Sequence, residues 1–297
     1  MKLPDSLKNG DTIRLITPSG AIEESYVHES VPILSSWGFV CESGKYALSH
    51  NGRFAGTIDD RLEDLKNAFL DPHVKAILCT RGGYGVVHLL ADMEPDIIRN
   101  NPKWLIGYSD ITALHALCSY AGVISMHAPM CKHLAETKGA DQPSLEIKDI
   151  LKGKLPVYEL PDHPLSLHGE AEGTLIGGNL AVFCGLRGTR FDSSQFVDDP
   201  ILFIEDIGER PYQIDRMIYN LELGGALGKI KALLIGQFTD CGEDPLMYDS
   251  ILASIRKIAE KYNIPVIFDF PAGHVDLNRP LLCGARVRIS GNQMYYI

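Results

Sequence analysis

The sequence predicts an α/β protein whose N-terminal half is a doubly wound parallel sheet and whose C-terminal half is a second, mixed α/β region. Three observations predict it. Short β-rich apolar runs end repeatedly in Gly, Pro or Ser turns. Helical stretches separate those runs, and strands alternating with helices imply a parallel sheet. A proline-rich interval then interrupts the alternation near the middle of the chain.

Thr12–Thr17 is the first strand-like run, and Pro18-Ser19-Gly20 ends it. A helical stretch reaches Trp37-Gly38, and Phe39-Val40-Cys41 reads as the next strand. Thr57 with Asp60 three residues on has the form of a capping box, and Leu62, Leu65 and Phe69 give that helix its apolar face. Val74–Cys79 reads as a buried strand that runs into Arg81-Gly82-Gly83-Tyr84-Gly85. Trp104-Leu105-Ile106 is another, ending at Gly107-Tyr108-Ser109-Asp110 before a helix over 111–120.

Pattern weakens between about residue 132 and residue 170, where Pro143, Pro156, Pro161 and Pro164 fall. The expected division is therefore a domain over 1–135, a linker over 136–168 and a domain over 169–297. In the last of these, Leu202–Ile204, Ala232–Ile235 and Val266–Phe268 read as strands. Ile214, Ile218 and Leu221 line one helix there, and Ile251, Ile255, Ile258 and Tyr262 line another. Residues 286–297 alternate like a hairpin about Ser290-Gly291-Asn292.

Composition narrows the function classes. The 297 residues carry 28 Lys and Arg against 38 Asp and Glu, which argues against a general nucleic-acid binder. Seven scattered cysteines without a C-x-x-C pair suggest neither a disulfide framework nor a zinc site. No run approaches the ~18 apolar residues of a membrane span, and Met1–Asp5 does not open a secretory signal. The expectation is a cytoplasmic protein with no membrane and no nucleic-acid partner. What stands out is a content of 28 glycines.

In a doubly wound sheet, ligands bind beyond the carboxyl ends of the strands. Two turns fall there. Consecutive glycines in Arg81–Gly85 can direct backbone N–H groups at an anion, although a tight strand-to-helix turn explains the same residues. Ser109 stands where a strand turns into a helix, the setting of a nucleophile elbow. Ile111 replaces the second glycine of G-x-S-x-G, and Ser and Asp are also common helix caps. A serine nucleophile needs a base and an orienting carboxylate. His274 follows a strand in a Gly- and Pro-held loop, with His127 and His133 as weaker candidates. Glu205 and Asp206 end the apolar strand Leu202–Ile204 and supply the carboxylates.

These separated segments together resemble the LD-carboxypeptidase family, serine peptidases that include the microcin C self-immunity hydrolases. Gly107–Thr112, Ile204-Glu205-Asp206 and Gly273-His274 match its serine, glutamate and histidine motifs. Arg53–Thr57, Arg81–Gly85, Gly173–Leu180 and Pro211–Met217 match further stretches, in order, over nearly the whole chain. Ala128 and Leu282 depart from the common pattern of glycine and proline at those places.

The resemblance implies an N-terminal flavodoxin-like α/β domain carrying Ser109 and a C-terminal β-rich α/β domain carrying Glu205 and His274. It also implies a cytoplasmic homodimer with no metal or organic cofactor. The implied reaction releases terminal D-alanine from a murein tetrapeptide by cutting an L,D bond in peptidoglycan recycling. Ser109 would attack, His274 would shuttle the proton and Glu205 would orient His274. The N–H groups of Gly83 and Asp110 would form the oxyanion hole. Arg81 is a candidate for the substrate carboxylate, and Asn179 is a substrate contact or a helix cap with equal reason. Two alternatives stand beside this: a peptidyl- or aminoacyl-adenylate hydrolase using the same triad, and a non-catalytic module binding a small anion at Arg81–Gly85.

Overall fold

A strand without a polar face must be covered on both sides, and the apolar runs of the N-terminal half are of that kind. The computed structural model describes residues 1–297. It contains β1 (Thr12–Ile16), α1 (Glu24–Ser36), β2 (Val40–Ser43), α2 (Ile58–Leu70), β3 (Val74–Cys79), α3 (Pro95–Asn100), β4 (Trp104–Gly107), α4 (Thr112–Tyr120) and β5 (Ser125–His127). Helices α5 (Cys131–Thr137) and α6 (Gln142–Leu151) follow. The remainder begins with β6 (Val157–Glu159), β7 (Ala171–Asn179), α7 (Leu180–Gly185), α8 (Ser193–Phe196) and β8 (Pro200–Ile207). It continues with α9 (Pro211–Leu223), β9 (Ala232–Thr239), α10 (Ile251–Tyr262), β10 (Val266–Ile267), β11 (Leu281–Cys283), β12 (Arg286–Ser290) and β13 (Gln293–Tyr296).

The chain divides into two compact units. The first comprises Met1–Leu155 with Arg279–Cys283. Its sheet has the order β11-β5-β4-β3-β1-β2, with β2, β1, β3, β4 and β5 all parallel. That is the 2-1-3-4-5 order of a flavodoxin-like sheet, whose switch point lies between β1 and β3. β3 buries every residue but Lys75, as a doubly covered strand should. The Thr57–Asp60 capping box opens α2, and Leu62, Leu65 and Phe69 are buried as their spacing requires.

Pro156–Asn278 and Gly284–Ile297 form the second unit. Its seven strands run β10-β9-β8-β7-β12-β13-β6, parallel from β7 to β10 and antiparallel from β7 through β12 and β13 to β6. The terminal hairpin expected from alternation is β12–β13. Ile214, Ile218 and Leu221 of α9 and Ile255 and Ile258 of α10 enter one core with Ile204, Leu233 and Phe268.

Two segments differ from the division read in the sequence. Residues 136–155, expected as linker, belong to the first unit. Ile147, Ile150 and Leu151 give α6 a buried face, and the Leu7 N–H donates to the Leu151 carbonyl at 2.7 Å. Arg279–Cys283, expected within the second domain, returns to the first unit, because Leu281-Leu282-Cys283 pairs antiparallel with β5. Ala128 and Leu282 sit there without disruption: both are fully buried, and the Ala128 N–H reaches the Gly107 carbonyl at 3.1 Å.

Candidate active site

The apolar β4 delivers the chain to Gly107, and Tyr108 is still extended. Ser109 then turns abruptly, with φ at 65°, before a 3-10 turn over Ser109–Ile111 feeds α4. A left-handed backbone costs an L-residue about 1–2 kcal/mol, and such strain collects at functional sites. The strand, the strained serine and the following helix share the shape of an elbow turn, although G-x-S-x-G is absent. His115, wholly buried on α4, braces it from behind. Its Nε2 lies 2.9 Å from the Gly107 carbonyl and its Nδ1 2.8 Å from Ser125 Oγ, and burial lowers its pKa to about 4. The ring is therefore neutral, with the Nε2 proton donated to Gly107.

The glycine-rich turn after β3 lies against the elbow. A Cβ on Gly82 would stand 2.9 Å from Ser109 Cβ and 3.2 Å from its Oγ, so only glycine admits this approach. Gly83 lies beside Gly20, which follows β1: a Cβ there would stand 3.4 Å from the Gly20 Cα, an ordinary contact distance. These loops leave the ends of β1, β3 and β4, where the 2-1-3-4-5 sheet has its switch point. Exposed Arg81 donates to the Ala21 carbonyl at 2.7 Å rather than to a carboxylate.

In the second unit, β8 carries Glu205 into full burial. The β8–β9 register shifts between Ile204 and Asp206. β8 is covered on both faces, so the consecutive carboxylates of Glu205 and Asp206 are both enclosed. His274 Nδ1 lies 2.8 Å from Glu205 Oε2. Glycines clear the space: a Cβ on Gly273 would meet Glu205 Oε2 at 2.9 Å, and one on Gly236 would meet Glu205 Cβ at 3.1 Å. The histidine loop is tied down by the Gly273 N–H to Asn278 Oδ1 (2.9 Å) and by Thr239 Oγ1 to the His274 carbonyl (3.0 Å). Burial raises the Glu205 pKa, and the His274 hydrogen bond and charge pull against it.

Asp206 and Asn179 have structural duties. Asp206 accepts from the Asn179 amide at 2.9 Å and from the N–H groups of Ala181 and Ile207. The Asn179 Oδ1 accepts from the Val182 N–H at 3.1 Å as the cap of α7, and that amide is buried. Of its two sequence readings, the structure supplies the cap. His133 pairs with Asp141 at 2.7 Å, and His127 is buried at the end of β5 with its ring edge-on to Tyr108. Thus Ser109, Gly83, Asp110 and Arg81 share one unit, and Glu205, His274 and Asn179 the other. No group of three or more His, Cys, Asp or Glu is arranged to hold a metal ion, and no helix is long and apolar enough to cross a membrane. All seven cysteines are free thiols.

Sequence reasoning missed Ser19, Arg61 and His115. Pro18-Ser19-Gly20 read only as a loop, and Arg61 lies in the polar spacing of α2, yet both side chains are buried.

The order of these elements decides the relationship. Residues 13–128 match the LD-carboxypeptidase N-terminal domain and residues 172–289 the LD-carboxypeptidase C-terminal domain. A putative carboxypeptidase of Synechocystis is 34% identical over 97% of this chain and 94% of its own length. The chain belongs to the LD-carboxypeptidase family, peptidase family S66. As a member it is a hydrolase of the serine-peptidase type. Within the family it is 33% identical to a probable murein peptide carboxypeptidase of Bacillus subtilis, over 97% of this chain and 91% of that one. Its fold matches the crystal structure of an MccF-like protein from Bacillus anthracis with a TM-score of 0.88, at 29% identity over 100% and 99% of the two chains. The two-domain α/β architecture is thus a family property.

Proposed function

We propose that this LD-carboxypeptidase-family chain releases the terminal D-alanine of a murein tetrapeptide through an acyl-enzyme formed on Ser109. The observation that carries the reading is the fully buried Glu205 holding His274 Nδ1 at 2.8 Å. With Nδ1–H directed at Glu205, the basic nitrogen of His274 is Nε2. In the proposed sequence Ser109 Oγ attacks the scissile carbonyl carbon and His274 Nε2 takes the hydroxyl proton. The same nitrogen then gives it to the departing D-alanine nitrogen as the C–N bond breaks. Water, deprotonated by His274, then attacks the ester carbonyl, and His274 returns that proton to Ser109 Oγ as the acyl C–O bond breaks. Glu205 stabilises the imidazolium at both stages. The N–H groups of Gly83 and Asp110 receive the oxyanion, each such donor being worth about 2.7–4 kcal/mol in the transition state. Arg81 is proposed to receive the substrate's terminal carboxylate. The cytoplasmic address, the homodimer and the place in peptidoglycan recycling belong to this proposal.

A second reading, hydrolysis of a peptidyl or aminoacyl adenylate by the same residues, has one observation in its favour. Phe54, half-exposed Tyr84 and His88 cluster beside the glycine-rich turn with ring centroids 5.3–6.1 Å apart, His88 edge-on to both other rings. An exposed ring such as that of Tyr84 can stack on a base. Incubation of the purified protein with a murein tetrapeptide and with an aminoacyl-adenylate analogue, read by mass spectrometry, separates the two. Loss of one D-alanine from the tetrapeptide supports the first reading; cleavage of the analogue alone replaces it with the second.

A further inference from the structure

The two proposed oxyanion donors come from different loops. The N–H of Gly83 follows β3 and that of Asp110 follows β4, so no local covalent geometry fixes their separation. An oxyanion hole works only with both donors about 2.7–3.1 Å from one oxygen, and a misplacement of ~1 Å in such a constellation can cost ~10²-fold. Something in the fold has to set the spacing.

The side chain of Asp110 is buried and occupied in a way that a helix cap does not require. Its Oδ2 accepts from Ser19 Oγ at 2.5 Å and from the Val86 N–H at 2.9 Å. Ser19 belongs to the loop after β1, and Val86 closes the glycine-rich turn after β3. One carboxylate on the turn after β4 therefore grips the loops that follow β1 and β3. Arg61, buried on α2, completes the fastening: its Nη1 donates to the Pro18 carbonyl at 2.8 Å and to the Gly85 carbonyl at 2.9 Å. Between those anchors the Gly20 N–H reaches the Gly82 carbonyl at 3.2 Å, and Gly82 lies against Ser109. Charge-assisted bonds of this sort are the stronger ones, and buried networks fix unique geometry when fully satisfied.

We propose that the Asp110 carboxylate is a positioning residue, a clamp that joins the Ser19 loop and the Gly82–Gly85 turn to the nucleophile elbow and so brings the Gly83 and Asp110 N–H groups to bear on one oxygen. This rests on the reading of Ser109 as nucleophile, and it assigns the side chain of Asp110 a task separate from that of its backbone.

The test compares Asp110→Ala, Asp110→Asn, Ser19→Ala and the double variant Ser19→Ala/Asp110→Ala in the full-length protein. Folding is checked by Tm, and kcat and KM are measured on a murein tetrapeptide. Inhibition by a peptide boronate and the rate of Ser109 labelling by a fluorophosphonate complete the set. Asp110→Ala is expected to lower kcat by ~10²–10³-fold with KM within a few-fold, and to weaken the tetrahedral boronate in step with kcat/KM. Asp110→Asn keeps an acceptor oxygen and should recover to within ~10-fold of wild type. Ser19→Ala should cost ~10-fold, and the double variant should be no worse than Asp110→Ala, because both act through one clamp.

A folded Asp110→Ala with wild-type kcat and boronate affinity overturns the clamp, as does Asp110→Asn as impaired as Asp110→Ala. If Asp110→Ala does not fold, Ser19→Ala decides: an unchanged kcat and labelling rate overturn the proposal. Failure of the wild-type protein both to turn over the peptide and to be labelled at Ser109 overturns the functional reading and the clamp with it. A wild type that is active beside an inert Ser109→Ala confines any failure to the clamp.

Discussion

Glu205 Oε2 and His274 Nδ1 stand 2.8 Å apart at the end of a bulged strand, and the carboxylate has no exposure to solvent. Burial raises the Glu205 pKa, so as pH climbs from the ordinary carboxylate range to that raised value the folded state holds more protons than the unfolded chain and stability falls. Glu205→Gln removes that burden. The expected result is a kcat lowered by about 10⁴-fold, the cost of a wrong histidine tautomer in such triads, with a Tm at pH 8 equal to or above that of wild type. Steady-state kinetics beside thermal melts checks both halves.

Ser109 carries backbone strain as well as its hydroxyl. Ser109→Ala and Ser109→Gly should both lose turnover, by about 10⁶-fold if the three residues act as a unit. They should differ in stability. Alanine at φ 65° retains the strain and glycine does not, so Ser109→Gly is expected to be about 1 kcal/mol more stable than Ser109→Ala. Urea unfolding of the two inactive variants measures the difference.

Two glycines with positive φ offer a paired comparison. At Gly122, with φ 80°, an added Cβ meets nothing within 4 Å, so Gly122→Ala pays only the backbone cost of about 1–2 kcal/mol and keeps its kcat. At Gly273, with φ 124°, the same methyl meets Glu205 Oε2 at 2.9 Å. Gly273→Ala should therefore lose kcat by ~10²-fold through displacement of the Glu205–His274 pair. Equal kcat in the two variants would remove the steric account.

His115 predicts an acid limb in the stability curve. Its folded pKa of about 4 lies below the ordinary 6.5, so between these values the unfolded chain binds the extra proton. Stability is complete above pH 6.5 and declines as pH falls toward 4, by on the order of 3 kcal/mol. His115→Gln carries no titrating ring and should flatten that segment in denaturation curves recorded from pH 4 to 7.

Local signals were the legible ones. The apolar run of β3, the Thr57–Asp60 box and the spacing of Ile214, Ile218 and Leu221 each contain their own explanation within a few residues. Ser109, Glu205 and His274 could be named because each follows a strand-like run and lies in a motif of the family. Arg61 could not, since its buried guanidinium serves carbonyls far along the chain at Pro18 and Gly85. Leu281–Cys283 was equally hidden: its partner β5 lies more than 150 residues earlier, and nothing in three apolar residues announces that pairing. Asn179 was ambiguous in sequence and resolves as a cap, because Val182 and Asp206 occupy both ends of its amide.

The strand β11 has a consequence for biosynthesis. A ribosome completes the sheet of the first unit only when it has made Leu281–Cys283, since those residues pair with β5. Until then β5 presents an unpaired edge, an invitation to aggregation that proteins usually cover. Nascent chains fold N-terminal parts first, so this one must wait for residues 281–283 before its first sheet is sealed. Premature termination before residue 281 would leave that edge bare. The cell thereby receives a peptidase whose first unit matures only after the residues proposed as base and carboxylate have also been synthesised.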